Sequence, residues 1–593
     1  MKFIAILLAA FEPLLLLADE KAAPSATAQG DPILRAMVDE VNRAKLLSVA
    51  NLDVPYYIEY SLDDARNFTV AASLGGLLSV TNSRGRLPNT RVRVGDYKFD
   101  NTNYLYSEYF SGSRYDPANL SLDDNYGVLR HSLWLSTDRA YKTAVEAIAR
   151  KRAALKNITQ NQDLPDFWKA QPYQKILPIQ RLNIDSPKWT SRVRDFSAIF
   201  SRYPEVLGSA VQFSALHSTH YMLNSEGTTI RIPDSVFFLE ARGAGQAPDG
   251  MTVRDAIVLQ SLDLGKLPSE AEMQKAITDV AEHVKALSAA PVGEVYSGPV
   301  LVEGMASAQI FAELLGGNLN VPRKPIGEPG RPVPFFASEL EGRIGSRILP
   351  EFLSVVDDPT QTSFNGIPLF GQYEVDEEGV VPKPLTIVEK GKLQNLLLTR
   401  QPVKGFDGSN GHARLPGGSG ARTAAFSNLF VRSTESVKGE ELKKRLIEMC
   451  KQRNKPYGII VRKMDYPSSA AVDEVRRIMT GISQSGGSSK PISIPILVYR
   501  IYPDGREELV RGVRFRGLSV RSLKDIMAVS EETYVFHVMD NLAPFALMGA
   551  GGYITAESVV APSMLFEDLE LEKPQDDQPK LPIVPPPPLT ASR

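Results

Sequence analysis

One cysteine, Cys450, stands in a chain of 593 residues, so no intrachain disulfide is possible and the core must hold together without covalent staples. A chain of this length buries enough apolar surface to need none. Cys450 ends a helical pattern, Leu442-Lys443-Lys444-Arg445-Leu446-Ile447-Glu448-Met449-Cys450, with no histidine near it, which is the setting of an unreactive core thiol. Beyond the N-terminus no stretch reaches the roughly 18 uninterrupted apolar residues that a membrane-crossing helix needs. Net charge is −2, and basic residues nowhere run together with interleaved aromatics. That balance gives no field to draw the chain to nucleic acid or to an acidic membrane. No repeat of 20–50 residues recurs along the chain. Only six histidines are present, and of these only His217 and His220 are close. They fall on an expected strand, where residues three apart face opposite sides, so they do not make a metal pair.

What is present begins with an export signal. Lys2 precedes the apolar residues 3–11, a second apolar stretch covers 14–18, and a segment of small and polar residues ends in Ala26-Thr27-Ala28. A basic start, a short apolar region and an A-x-A-like site describe a secretory signal over residues 1–28, placing the mature chain in the periplasm or outside the cell with no membrane span. The remainder has the composition of a globular protein, with 43% hydrophobic and 23% charged residues.

Apolar spacing predicts helices over 31–50, 137–159, 189–202, 269–288, 306–315, 438–452 and 471–478. Alternation predicts strands from Tyr56 onward, at 68–73, 77–81, 90–94, 210–216, 217–223, 228–232 and 236–241, with a turn at Ser225-Glu226-Gly227. The chain changes character near 292–300. A mixed α/β N-terminal domain over 31–291 is followed by a strand-rich, barrel- or sandwich-like C-terminal domain over 292–572, and the class is α+β. Residues 573–593, with Pro585 to Pro588 in a row, form a polyproline tail that cannot pack a core.

Common catalytic signatures are missing. Gly417-Gly418-Ser419-Gly420 and Gly549-Ala550-Gly551-Gly552 are followed by no Gly-Lys-Ser/Thr, so neither is a phosphate loop. Gly417-Gly418-Ser419-Gly420-Ala421 fails the serine-nucleophile pattern at its last position. The acidic pairs Asp357-Asp358 and Asp376-Glu377-Glu378-Gly379 read as turn and strand-end residues, because adjacent acids hold Ca²⁺ only with further oxygen ligands.

The order of segments in the second half resembles the TldD/PmbA family, bacterial proteins linked to peptide processing and once called modulators of DNA gyrase. The resemblance rests on Pro299-Val300-Leu301-Val302-Glu303-Gly304 leading into a helix at 306–317, then Gly342-Arg343-Ile344-Gly345-Ser346-Arg347 and Val355-Val356-Asp357-Asp358. It continues through Tyr373-Glu374-Val375-Asp376-Glu377-Glu378-Gly379, Ser409-Asn410-Gly411-His412-Ala413-Arg414, Ser427-Asn428-Leu429 and the closing run from Ala561 to Leu571. In TldD-type members an HExxxH helix binds zinc through two imidazoles, and its glutamate serves as general base on metal-bound water. The resemblance puts Ala312 and Gly317 at the two histidine positions and Glu313 at the glutamate. Zinc, expected for the family, therefore lacks its ligands here, and Glu313 alone remains as a catalytic candidate.

The same resemblance implies an extended or unfolded peptide as ligand, bound by strand addition, with His412, Arg414 and Asn410 as substrate-binding candidates. It also implies a homodimer, or a heterodimer with a TldD-like subunit. The reading that follows is an exported, TldE-like or degenerate member that binds peptide or partners an active subunit. Its alternative is an active metallopeptidase with a relocated site drawn from His412, Glu313, His537 and Asp358.

Overall fold

A computed structural model of the chain describes residues 30–105, 120–156, 164–327, 337–416, 422–465, 492–540 and 555–573. The expected signal segment, the proline tail beyond 573, the helix at 471–478 and both glycine-rich segments lie outside the described residues.

The first half is one twisted sheet with helices on one face. Its strands are β1 (Pro55–Ser73), β2 (Gly76–Val94), β3 (Gln174–Ile176), β4 (Gly208–Asn224), β5 (Thr229–Gln246) and β6 (Thr252–Ser261). They pair in the order β2-β1-β4-β5-β3, with β6 also on β5. Four helices belong to this half: α1 (Pro32–Ala44), α2 (Tyr126–Leu155), α3 (Ser186–Ala198) and α4 (Glu270–Ala289). Their starts follow from sequence. The Asp31 carboxylate accepts the Ile33 and Leu34 amides at 3.0 and 3.2 Å with Pro32 in the first turn, and Ser269 and Glu272 close a capping box on α4.

Alternation along β1 sorts its two faces. Ile58, Tyr60 and Leu62 are buried with α1 and α2, while Phe68, Val70 and Ala72 are buried with Trp189, Val193 and Phe196 of α3. The opposite face carries Tyr57, Glu59 and Asp63, and it turns toward the second half of the chain. This polar face explains why sequence alternation broke β1 and β2 into short pieces. Each is a 19-residue strand, because its charged positions find partners on neighbouring strands and loops of this half, as Asp64 does with Arg84 and Arg86 and Asp63 with His220, or on the second half, as Glu59 does with Arg422, instead of marking loops. The expected break between 216 and 217 is likewise absent, and β4 runs through it.

The second half is built on an eleven-stranded sheet. Its strands are β7 (Tyr296–Val302), β8 (Leu353–Asp357), β9 (Leu385–Glu389), β10 (Lys392–Leu393), β11 (Asn428–Ser433), β12 (Gly458–Met464), β13 (Pro495–Ile501), β14 (Glu507–Val510), β15 (Arg514–Arg516), β16 (Ile526–Asp540) and β17 (Thr555–Glu572). The order is β10-β9-β8-β11-β17-β7-β12-β13-β14, with β15 and β16 also on β17. Among the described residues the sheet does not close, so the barrel form of the expectation is corrected to an open, branched sheet. The centre of the sheet is covered on both sides by helices. Val300, Val302, Val461, Met464, Met564 and Phe566 are buried with α5 (Met305–Leu314), whereas Leu301, Ile460 and Leu565 are buried with Leu442, Leu446 and Cys450 of α6 (Gly439–Gln452). Double coverage accounts for the unbroken apolar runs in these strands. Cys450 is free and buried, and burial pushes its thiol up, away from the reactive thiolate.

Candidate functional site

The helix that resembles the zinc helix is α5. Gly304, at φ 63°, turns the chain out of β7 and into it. Seven of its ten residues plus Leu315 are apolar or small and buried, which sinks the helix into the core of the sheet. Ala312 is 5% exposed and adds only a methyl group to that core. Gly316 lies under the ring of Phe426, and a Cβ there would come within 2.5 Å of it.

Glu313 is held by its neighbours. One carboxylate oxygen accepts from Gln309 Nε2 at 2.8 Å and from the Ser493 hydroxyl at 2.6 Å, and the other accepts the Ser493 amide at 2.8 Å. Gln309 Nε2 also donates to the Asp465 carbonyl at 2.9 Å. Burial raises the Glu313 carboxyl above the usual range while the Ser493 and Gln309 donors pull the other way. In place of an imidazole pair around a free carboxylate, the site is thus a tether. It ties α5 to both Asp465, at the end of β12, and Ser493, just before β13. An alanine methyl, a glycine and a carboxylate already accepting three hydrogen bonds do not fit a zinc ion, which takes three protein ligands in a catalytic site.

The three expected substrate residues come together, but as an internal scaffold. His412 is completely buried. Its Nε2 meets Asp357 at 2.8 Å and its Nδ1 meets the Asn410 side-chain oxygen at 2.9 Å. Asn410 is oriented by the main chain, accepting from the Leu398 amide and donating to the Leu396 carbonyl, both at 2.8 Å. Both ring nitrogens therefore face acceptors. Asp357, also fully buried, further accepts the Ser427 amide at 2.8 Å and its hydroxyl at 2.6 Å. Arg414 is half-buried over the Tyr373 ring at 4.4 Å, and its terminal nitrogens donate to the Phe426 and Ala556 carbonyls at 3.2 and 3.1 Å. These bonds lock the 396–414 loop to β8 and β17.

The members of the relocated-site alternative stay apart. His537 donates nothing to Glu313 or His412. Its Nδ1 meets the Ser558 hydroxyl at 2.9 Å and its ring stacks on Phe370 at 4.0 Å. Burial depresses His537 to about 4, so it is neutral. Asp358 accepts from the Thr360 amide and hydroxyl. Among the described residues no three His, Cys, Asp or Glu side chains are grouped to hold a metal ion.

Sequence reasoning missed the charged boundary between the two halves. Arg400 is fully buried, donating to Glu226 at 2.7 Å and to the Trp168 carbonyl at 2.7 Å, with its guanidinium 4.0 Å from the Phe167 ring centre. Its own amide donates to Glu378 at 2.6 Å. Beside it, His220 of β4 meets Asp63 of β1 at 2.8 Å and Glu377 of the second half at 3.4 Å, and Arg422 lies 3.6 Å from Glu377. Desolvation disfavours the imidazolium here, but Glu377 and Asp63 together outweigh it and raise His220 to about 9. Asp63 and Glu377 keep 40% and 33% of their side chains exposed, so this end of the boundary opens to solvent. Asp376, read as a turn residue, does make the turn, accepting the Glu378 and Val380 amides at 2.9 and 2.8 Å; burial and Glu378 push it up to about 7. The pairs that build this boundary are separated by more than 150 residues in several cases, and no local pattern announces them.

Residues 293–573 match the model of the PmbA/TldA metallopeptidase C-terminal domain. A metalloprotease of Archaeoglobus fulgidus is 36% identical over 81 residues, 14% of this chain and 18% of that protein, so the aligned stretch spans less than a fifth of the relative's length. TldE from Thermococcus kodakarensis superposes with a TM-score of 0.52 at 13% identity, covering 91% of this chain and all of that one. A protein described as a candidate modulator of DNA gyrase from Thermotoga maritima gives 0.53 at 13% identity, covering 87% and 96%. The two structures share the fold, and the match over 293–573 supplies the family. Residues 293–573 thus form a C-terminal domain of the PmbA/TldD metallopeptidase-like type.

Proposed function

We propose that this chain is a non-catalytic, TldE-like member of its family, exported to the periplasm or beyond, that binds extended peptide and works as a dimer with itself or with a catalytically complete TldD-like subunit. The observation that carries the reading is the state of α5. Ala312 and Gly317 offer no metal ligand, and the Glu313 carboxylate is committed to Ser493 and Gln309. A general base needs a lone pair aimed at its water, and this one points its oxygens at three donors instead. The fold is retained while the groups that would run hydrolysis are replaced by groups that pack.

Peptide binding draws support from the open end of the domain boundary, where Asp63, Glu377 and His220 present paired charges beside strand backbone. Main-chain hydrogen bonding to a strand gives affinity that needs no metal. Export draws support from the basic, apolar and small-residue order of residues 1–28. The test is metal analysis combined with a peptidase assay on unfolded peptides, with the chain alone and mixed with a TldD-like subunit. The reading expects no stoichiometric zinc and no cleavage by the chain alone. Chelator-sensitive cleavage by the isolated chain contradicts it.

A further inference from the structure

Along the first sheet and the boundary it shares with the second half, most arginines are closely matched. Arg400 reaches Glu226 at 2.7 Å, Arg93 reaches Asp100 at 2.8 Å, and Arg84 reaches Asp64 at 2.6 Å. Those are the distances of charge-assisted hydrogen bonds. Two guanidiniums depart from this pattern. Arg91 stands on β2 directly opposite Glu59 of β1, and the nearest Glu59 oxygen is 3.8 Å away. Arg422, in the short strand Arg422–Ala424 of the second half, lies 3.5 Å from that same oxygen and 3.6 Å from Glu377.

One carboxylate oxygen thus stands between two cations and bonds neither closely. The other Glu59 oxygen is taken by the Tyr57 hydroxyl at 2.6 Å. Arg422 is only 7% exposed, yet its Nε meets no acceptor among the described residues. Buried polar groups are hydrogen-bonded as a rule, and a charged donor left without an acceptor costs more than a neutral one. The like charges also oppose each other. Burial and the neighbouring Arg422 push the Arg91 guanidinium down to about 10. An anion seated between the two would accept the spare donors and relieve the repulsion together.

The surroundings restrict which anion fits. Glu59, Glu377 and Asp63 set three carboxylates beside Arg91, Arg422 and the protonated His220. Against those acids a doubly charged phosphate meets more repulsion than a singly charged carboxylate. The guanidinium fork also matches the two oxygens of a carboxylate. Inward, Tyr57 and Arg400 are fully buried and close the site, whereas Asp63 and Glu377 at the outer end are partly exposed. A site closed on its inner side admits a chain end or a side-chain tip, and does not admit a chain passing through.

We infer that Arg91 and Arg422 together bind one carboxylate of a peptide at the open end of the domain boundary. The inference rests on the peptide-binding part of the proposed function and gives that peptide a fixed anchor. It is independent of the state of α5.

Fluorescence anisotropy with the full chain at neutral pH tests it. Three forms of one labelled decapeptide without other charged side chains are compared: the free C-terminal acid, the C-terminal amide, and the amide carrying one central glutamate. A carboxylate-bearing form is expected to bind about tenfold tighter than the plain amide, and the form that does so names the source as chain end or side chain. In Arg91→Gln and in Arg422→Gln that preference is expected to fall below about threefold, while the plain amide binds as it does to the parent chain. The parent comparison needs no variant, and unchanged amide binding shows that the variants are folded. Equal affinity for all three forms overturns the inference and leaves peptide binding standing. A preference that survives both glutamine variants overturns the assignment to these arginines. Binding of none of the three overturns the peptide reading and this inference with it.

Discussion

Replacing Glu313 by alanine separates a structural carboxylate from a catalytic one. The side chain accepts three hydrogen bonds, two of them from Ser493. Hydrogen bonds to charged groups contribute about 1.5–3 kcal/mol each, and donors left without a partner lose their solvation as well. Part of this is recovered, because Gln309 keeps the Asp465 carbonyl and burying the carboxylate was itself costly. A net local loss of about 2 kcal/mol is expected, concentrated where α5 meets the start of β13. A chain of two sheets need not unfold in one step, so a global midpoint is the wrong readout. Native-state hydrogen exchange reads the site itself. The Ser493 amide is expected to exchange about 30-fold faster in Glu313→Ala, the equivalent of that 2 kcal/mol. Glu313→Gln keeps one acceptor and falls between. Catalytic residues are commonly held at the expense of stability, and their removal leaves a protein as stable or more so. Unchanged or slower exchange at Ser493 would therefore refute the tether.

Three further outcomes follow. Asp357→Asn disturbs a fully buried group that meets His412 and Ser427, and is expected to cost about 3–5 kcal/mol in urea unfolding of the second half, as broken buried pairs do. His220 is raised from 6.5 to about 9, so the folded chain holds its proton more tightly than the unfolded chain. Its contribution is full below pH 6.5 and is lost as pH rises through about 9, at most about 3 kcal/mol, and His220→Gln should flatten that slope in stability measured against pH. Leu446→Ala, under the sheet beside Cys450, should cost about 2–5 kcal/mol and leave peptide binding intact, measured by denaturant titration and binding isotherm.

Helices α3 to α6 were legible within a few residues, since their apolar spacing and caps are local. The expected first helix overran to 50, while α1 stops at Ala44 and leaves Leu46 83% exposed. Conversely α2 begins at Tyr126, about three turns before its expected start at 137, because Leu129 and Leu133 continue the buried stripe and Asn125 caps it. The long strands β1 and β2 were obscured by charges such as Glu59 and Asp63, whose partners are supplied from far along the chain. The zinc positions on α5 were readable by resemblance because they are contiguous. The fate of Glu313 was not, for Ser493 lies 180 residues away. His412 illustrates the same limit. A histidine in a glycine-containing loop looks exposed, but Asp357 and Asn410 draw it inside.

The proposed function requires a chain that keeps the fold without the zinc chemistry. Metal content and peptide cleavage, measured together on the purified chain after incubation with zinc and removal of excess, test it most directly. Substoichiometric zinc and no cleavage that a chelator abolishes are the expected results. One zinc per chain with chelator-sensitive hydrolysis of an unfolded peptide would contradict it.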